Sequence, residues 1–480
     1  MNTLRISTPL ISLDLSPFYL KSGDYDLARA LFSPWFLYDG NIKPYLIEKY
    51  SANENFTIFR FEIKKNLYFH NKREVNSQDF KFSLQRGMLF NARNSFKNIL
   101  LCIEGSYQID DFTDIYKDCV SGIKLINNYT FDIILKYPCS HFPIYFTRSA
   151  LSIVPYEALD DDKPWLWKKY PIGTGAFQVI ENINNKVQLE LIKFPLHFST
   201  NSSLFQKIIF SQPNSEFKAD ITLDQEYSYY PNFLHVESKF SMIIALEHFH
   251  HTGPTEYFLF LRKLINSALD KNIFIKYYIE NSNLSAIETN QFLPTSIKKY
   301  NFIKKMDDFN SLYIEFLEKF EKIPFINIVV YNLYGKESII YKLQILLFET
   351  LQNFNLPVQI KYCDSLDFDL NPIQHYVILA SSSFNYPVQD NLSLFFSNTN
   401  EIFRYEDSDL LNLKKIIKQA GIENNLDKKE ELYLKFHENL INLGLIYPLF
   451  ETFEYACINT SIMDPKKIFY HGYHPYYEFM

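Results

Sequence analysis

Residues 42–86 read IKPYLIEKYSANENFTIFRFEIKKNLYFHNKREVNSQDFKFSLQR, and residues 171–177 read PIGTGAF. These two stretches decide the fold. In the first, Phe59, Phe61 and Ile63 alternate with Arg60, Glu62 and Lys64, the period of a strand with one buried and one wet face. Asn71 and Lys72 supply the turn that follows. Asn76 or Ser77 then caps a helix, and Asp79 falls in its first turn, where a carboxylate complements the helix dipole. Phe80, Leu84 and Met88 recur at i, i+4 and i+8 and mark the buried stripe of that helix. The second stretch is a glycine-dependent turn. It leads into another alternating segment, QVIENINNKVQLELIKF, at 178–194.

Outward from these stretches the same two periods continue. Residues 120–136 form a strand pair, with Ile123, Leu125 and the run 129–135 around a turn at Asn127-Asn128. Residues 240–274 read strand, loop, helix; Pro254 and Thr255 open the helix, and Leu261, Leu264, Ile265 and Ala268 form its stripe. Residues 325–362 make a strand–helix–strand unit, with Ile340, Leu343, Leu347 and Leu351 on one helix face. Helical stretches near 408–420 and 428–442 precede a last strand around 446–458. At the start of the chain Leu4 and Ile6, then Leu10 and Leu13 around Pro9, read as a first strand. The expectation is mixed α/β throughout, without internal repeats.

A chain of 480 residues is long for one core, so two or three domains are expected. The formal net charge is −7 and no lysine or arginine run stands out, which argues against a nucleic-acid groove or an anionic membrane surface as partner. The 45 Phe and 35 Tyr suggest an aromatic-lined cleft. Yet Ile, Asn and Lys are abundant too, and all of these share AT-rich codons, so aromatic content is not used as an argument for a ligand. Cys102, Cys119, Cys139, Cys363 and Cys457 are scattered without a CxxC pair or a metal-ligand spacing, so buried free thiols are expected. No apolar signal core or lipobox cysteine follows Met1, which places the chain in the cytoplasm if Met1 is the true start. No run approaches the ~18 apolar residues of a membrane span.

Five blocks carry a family resemblance. The family pattern P-x-L-A-E-x-W matches 44–50, and F-x-L-R-x-x-V-x-F-H-D-G matches 61–71. A-x-D-V-x-F-S matches 77–83, P-x-G-T-G-P-Y matches 171–177, and R-x-A-x-x-x-A-x-D-R matches 262–271. In this order they resemble the family 5 extracytoplasmic solute-binding proteins, the oligopeptide-binding type of ABC importers. The resemblance implies an α/β two-lobe periplasmic-binding-protein fold, type II-like, with an extra domain and a hinge. Lobe I would be 1–41 plus 166–244 plus 449–480, the extra domain 42–165, and lobe II 245–448. It further implies capture of peptides or similar small solutes by hinge closure, without chemistry on the ligand and without a cofactor. The partner would be an ABC permease if the chain is exported, and the protein would be a monomer outside the cytoplasmic membrane.

The same resemblance assigns ligand contacts. The loop LFSPWF at 31–36 corresponds to the loop that approaches ligand backbone, which puts Ser33 and Trp35 there, while Pro34 lacks an N–H to offer. In ASSSFNYPVQD at 380–390, Ser382 stands where the family has Trp, Asn385 where it has the Asp that pairs with a peptide amine, and Tyr386 matches. An amide cannot form the charge-assisted bond that anchors an ammonium, so a free peptide N-terminus is not the expected ligand. His250 lies by the strand end close to the cleft, in EHFHHTG, where Glu247, His248, His250 and His251 could ligate a metal or lie on a surface loop near the hinge. Gly173, Thr174 and Gly175 read as a structural turn, since their spacing fits neither nucleotide-binding glycine motif. Cys139-Ser140-His141 sets a thiol and an imidazole two residues apart, without an orienting carboxylate or oxyanion hole for catalysis. An alternative function stays open: an intracellular ligand sensor related to the solute-binding half of sugar-phosphate-stress transcription regulators.

Overall fold

The computed structural model describes residues 3–8, 15–17, 25–38, 41–90, 99–180, 188–199, 205–212, 217–222, 234–249, 255–282, 284–293, 295, 308–331, 338–363, 375–383, 412–413, 415–417, 419–420, 423 and 425–459. The chain forms two compact units, one of Met1–Ser238 with Tyr455–Met480 and one of Lys239–Glu454.

The first unit begins with strand β1 (Thr3–Ser7), where Leu4 and Ile6 are fully buried as their spacing predicts. It runs parallel to β10 (Lys207–Ser211) and to the short β11 (Ile221–Thr222). On one side β9 (Gln188–Lys193) and β8 (Phe177–Val179) continue from β10 as antiparallel neighbours. On the other, β11 pairs antiparallel with the far end of β17 (Ile446–Ile458), Ile221 opposite Ile458 and Thr222 opposite Cys457. Helix α1 (Tyr25–Leu31) leads into a hairpin of β2 (Phe36–Tyr38) and β3 (Ile42–Pro44).

A second sheet in this unit has the order β4 (Ile47–Ala52), β5 (Ile58–Ile63), β7 (Thr130–Ile134), β6 (Ile123–Asn127), all antiparallel. Phe59, Phe61 and Ile63 point into the core and Arg60 out, where its guanidinium meets Asp132 on β7 through two bonds of 2.7 and 2.8 Å. The β6–β7 turn falls at Asn128-Tyr129, one residue later than expected, and Asn127 Oδ1 accepts the Tyr129 N–H at 2.9 Å, a side-chain mimic of a backbone turn. Helix α2 (Ser77–Phe90) lays Phe80, Leu84 and Met88 inward, all at most 2% exposed.

The start of α2 shows why the sequence stops being loop there. Asn76 is the cap: its Oδ1 accepts the Gln78 N–H at 2.9 Å, while Asp79 Oδ2 reaches back to the Asn76 N–H at 2.9 Å. Ser77 has another task, donating its hydroxyl to the Asn127 carbonyl at 2.7 Å. Asp79 is also gripped by Arg73, at 2.5 and 3.0 Å, and Arg73 Nε holds Glu157 at 2.6 Å. One buried carboxylate thus closes a helix end and neutralises a guanidinium.

The second unit carries a parallel strand–helix–strand crossover: β14 (Ile326–Tyr331), α6 (Ile339–Asn353), β15 (Val358–Cys363). Leu343, Leu347 and Leu351 are fully buried on α6 and Ile340 is half-buried, close to the face read from the sequence. Strand β16 (His375–Ser383) lies parallel to β14 and antiparallel to β12 (Leu234–Phe249). The short β13 (Ala286–Glu288) pairs with β17. Helix α3 (Thr255–Ser267) begins at the expected Thr255 and buries Leu261, Leu264 and Ile265. The unit also holds helices α4 (Lys271–Ser282), α5 (Phe309–Phe320) and α7 (Leu426–Asn442), α7 packing Tyr433, Phe436 and Leu440 against Ile243, Phe292 and Leu413, and the described residues between 412 and 420 are helical. Among the described residues no helix is long and apolar enough to cross a membrane.

Removing the Asp79 carboxylate should leave Arg73 short of its buried partner and α2 without half its cap. Asp79→Ala is expected to lower unfolding free energy by about 3–5 kcal/mol, the range for breaking one side of a buried ion pair. Urea denaturation of the whole chain checks this, and a loss below about 1 kcal/mol would mean the pair behaves as a surface bridge.

Candidate ligand-binding site

The turn at 173–175 is built by close backbone approach. The Gly175 N–H donates to the Leu31 carbonyl at 2.9 Å, docking the turn on the end of α1. A Cβ on Gly173 would overlap the Leu31 carbonyl oxygen and the Phe32 ring, and one on Gly175 would overlap the Ala30 carbonyl oxygen. Only a residue without a side chain fits against another backbone at such range. Ser33, one of the expected ligand contacts, donates its hydroxyl to the Thr174 carbonyl at 2.9 Å and is buried. The structure therefore brings Ser33 and Thr174 together directly.

His70 clasps the same turn from the first sheet's side of the chain. Its backbone N–H donates to the Gly173 carbonyl at 2.9 Å, and the Gly173 N–H donates to His70 Nδ1 at 3.2 Å. With Nδ1 accepting, the ring proton sits on Nε2, which donates to the Gly175 carbonyl at 3.0 Å. Burial pulls the imidazole down to about 4, against which the Gly175 carbonyl pulls weakly upward. His197 is also buried, and burial, with the positive charge that His70 and Lys193 would add, brings it down to about 3. Neither histidine stands out in the sequence. His70 lies inside the 61–71 block, but a bond across a hundred residues leaves no periodic trace.

Trp35 is fully buried. Its indole stacks on Phe146 at 4.0 Å and meets Phe80, Phe61 and Phe131 edge-on at 4.7, 5.7 and 5.8 Å between centroids. These rings all belong to the first unit. Ser382 lies on β16 in the second unit, opposite Ile243 of β12. His250, Asn385 and Tyr386 lie outside the described residues.

The first three residues of EHFHHTG, 247–249, are strand rather than surface loop, and His250 and His251 lie outside the described residues. His248 is on β12 with no exposed surface. Its Nε2 is 3.0 Å from Asn266 Oδ1, which can only accept, so the proton is on Nε2 and Nδ1 accepts from His375 Nε2 at 3.2 Å. Glu247 points to the other face of the strand, and burial pushes its carboxyl up to about 7. Among the described residues no three His, Cys, Asp or Glu side chains come together as a metal site.

Comparison with known proteins bears on this geometry. Residues 41–220, which include both the 42–86 block and the GTG turn, match the family described as bacterial extracellular solute-binding proteins, family 5 Middle. The periplasmic oligopeptide-binding protein OppA of Salmonella typhimurium is 24% identical over 198 residues, 40% of this chain and 35% of that one. OppA of Haemophilus influenzae is 20% identical over 173 residues, 36% of this chain and 32% of that one. The matched region thus spans about a third of these relatives. Solved structures extend the likeness to nearly the whole chain. The OppA complex of H. influenzae with RPPGFSPFR has a TM-score of 0.71 at 16% identity, covering 99% of this chain and 97% of that one. The Helicobacter pylori periplasmic binding protein DppA with peptide STSA gives 0.70 at 17%, covering 95% and 93%. NikZ of Campylobacter jejuni with Ni(L-His) gives 0.65 at 15%, covering 95% and 94%. The fold is the α/β two-lobe fold of family 5 periplasmic binding proteins.

Two measurements test the turn. Gly175→Ala should cost at least about 1–3 kcal/mol by overpacking, read as a lowered urea midpoint. The second concerns pH. Because the folded imidazole of His70 binds its proton near 4 and an unfolded one near 6.5, the unfolded chain holds the extra proton in that window, and stability rises with pH through it. The contribution, on the order of 3 kcal/mol, is complete above about pH 6.5 and lost as pH falls towards 4. His70→Gln should flatten the stability curve between those values, and an unchanged slope would show that the ring is already charged in the fold.

Proposed function

We propose that this chain is the substrate-binding component of an ABC-type importer, capturing peptides or similar small solutes and doing no chemistry on them. The observation that carries this reading is the family match over 41–220, which joins the two stretches that decide the fold. The two compact units support capture by hinge closure, since the chain passes between them twice, within β12 and within β17. In the proposed closed state Ser33, Trp35, His250, Ser382, Asn385 and Tyr386 contribute to the ligand's surroundings. The protein acts as a monomer outside the cytoplasmic membrane and passes its ligand to an ABC permease.

Within this reading Asn385 sets specificity. An amide offers neutral hydrogen bonds where a carboxylate would pair with an ammonium, so solutes without a free amine at that place are favoured.

Native mass spectrometry of gently purified protein, repeated after denaturation, tests the reading. A ladder of short peptide masses would support the importer and show that Asn385 permits peptide capture. A single sugar-phosphate mass would instead favour the intracellular sensor. Asn385→Asp should tighten binding of short peptides with a free N-terminus by about tenfold, the worth of one added charge-assisted bond. Calorimetry showing no change for any such peptide would remove Asn385 from the site.

A further inference from the structure

Cys139 and His141 meet in the first unit, well along the chain from the GTG turn. Cys139 Sγ lies 3.5 Å from His141 Nε2. The backbone around them is fixed at several points. The Cys139 N–H donates to the Phe56 carbonyl at 3.0 Å, and the Phe142 N–H donates to the Cys139 carbonyl at 3.1 Å. His141 caps the short helical turn Phe142–Thr147, and its ring stands edge-on to Tyr145 at 5.5 Å. Cys139 as a residue is buried but keeps 8% exposure, against 5% for Cys102.

The other described cysteines are set differently. Cys102 Sγ points at the Ile99 carbonyl at 2.7 Å, Cys119 Sγ at the Asp114 carbonyl at 3.7 Å, and Cys363 Sγ at the Lys361 carbonyl at 4.0 Å. A carbonyl oxygen accepts a hydrogen bond from S–H and holds the proton on sulfur. An imidazole nitrogen can take that proton away and then face the thiolate as a cation. Burial pushes the Cys102 thiol up to about 12 and also raises that of Cys119. Two titratable residues precede the pair in sequence, Lys136 and Tyr137. Tyr137 is close to both Cys102 and Cys139, and burial raises its phenol, so it stays neutral. The Lys136 ammonium is held by the Leu101 carbonyl at 2.9 Å and Ser106 Oγ at 3.0 Å.

We infer that Cys139 and His141 form a reactive thiol–imidazole pair that takes a low-molecular-weight disulfide and becomes a mixed disulfide at Cys139. The Cys139 proton passes to His141 Nε2, and the thiolate attacks one sulfur of the incoming disulfide. A new S–S bond forms as the old one breaks. The departing thiolate recovers the proton from the imidazolium and leaves as a free thiol. The disulfide is the only oxidant required.

The test uses the full reduced chain with dithionitrobenzoate and, separately, oxidised glutathione, with the modified residue located by peptide mass spectrometry. At neutral pH Cys139 should react at least about tenfold faster than Cys102, Cys119 and Cys363, with a rate midpoint below the ~8.5 of an ordinary thiol. His141→Gln should slow Cys139 about tenfold at neutral pH and move the midpoint up towards ~8.5, with an unchanged circular dichroism spectrum. First modification at Cys119, or an unchanged rate and pH profile in His141→Gln, overturns the inference. Should that variant fail to fold, the native chain decides alone: a Cys139 midpoint at or above ~8.5 overturns it as well.

Discussion

The approach of the GTG turn to the end of α1 is the constraint on which the first unit hangs. Two glycines allow the backbone at 173–175 to lie against Ala30 and Leu31, and no side chain of any kind would fit there. From that seat the chain enters β8 directly, and the Phe194 N–H reaches back to the Ala176 carbonyl at 2.7 Å, so the β8–β9 hairpin inherits its position from the turn. His70 carries the constraint in the other direction. By reading three backbone groups of the turn it ties the block that contains β5 and α2 to a loop one hundred residues later. Packing of this kind is unforgiving because interiors are already as dense as organic crystals.

In each unit one buried imidazole uses one ring nitrogen to give and the other to accept: His70 in the first and His248 in the second. His70 does so between two glycines. In the second unit His375 donates to His248, and His248 donates to the Asn266 amide oxygen. Close by, Asn327 Nδ2 donates to the His375 carbonyl at 3.0 Å and Gln359 Nε2 donates to Asn327 Oδ1 at 2.7 Å, which links β15, β14 and β16 through side chains as well as through the ladder. Such chains polarise one another, and they are costly to leave half-made. A proton added anywhere in them turns an acceptor into a second donor.

The local elements were legible because their signals are periodic. Phe59, Phe61 and Ile63 on β5, and Phe80, Leu84 and Met88 on α2, announce their buried faces by spacing alone. The same holds for Leu4 and Ile6 on β1. What the spacing hides is any contact made across sequence. His70 looks like one polar residue in a strand-and-turn block, and His248 looks like part of a surface histidine run until β12 and α3 enclose it. Trp35, expected on a ligand loop, is ringed by phenylalanines drawn from widely separated segments. The proposed ligand set was reached through motif resemblance, because the residues that recognise a solute obey the solute's shape and not a helical or strand period.

The pairing of β11 with the end of β17 has a consequence for synthesis. Residues 221–222 pair with β1 on one side but find their other partners only at 457–458, after the whole second unit has been made. A ribosome therefore releases most of the first unit's strands with one edge of β11 still waiting for the end of β17. Pairings so distant in sequence are slow to form, because the loop they close must be ordered first. Completion of the first unit in this way waits until the second unit has been made.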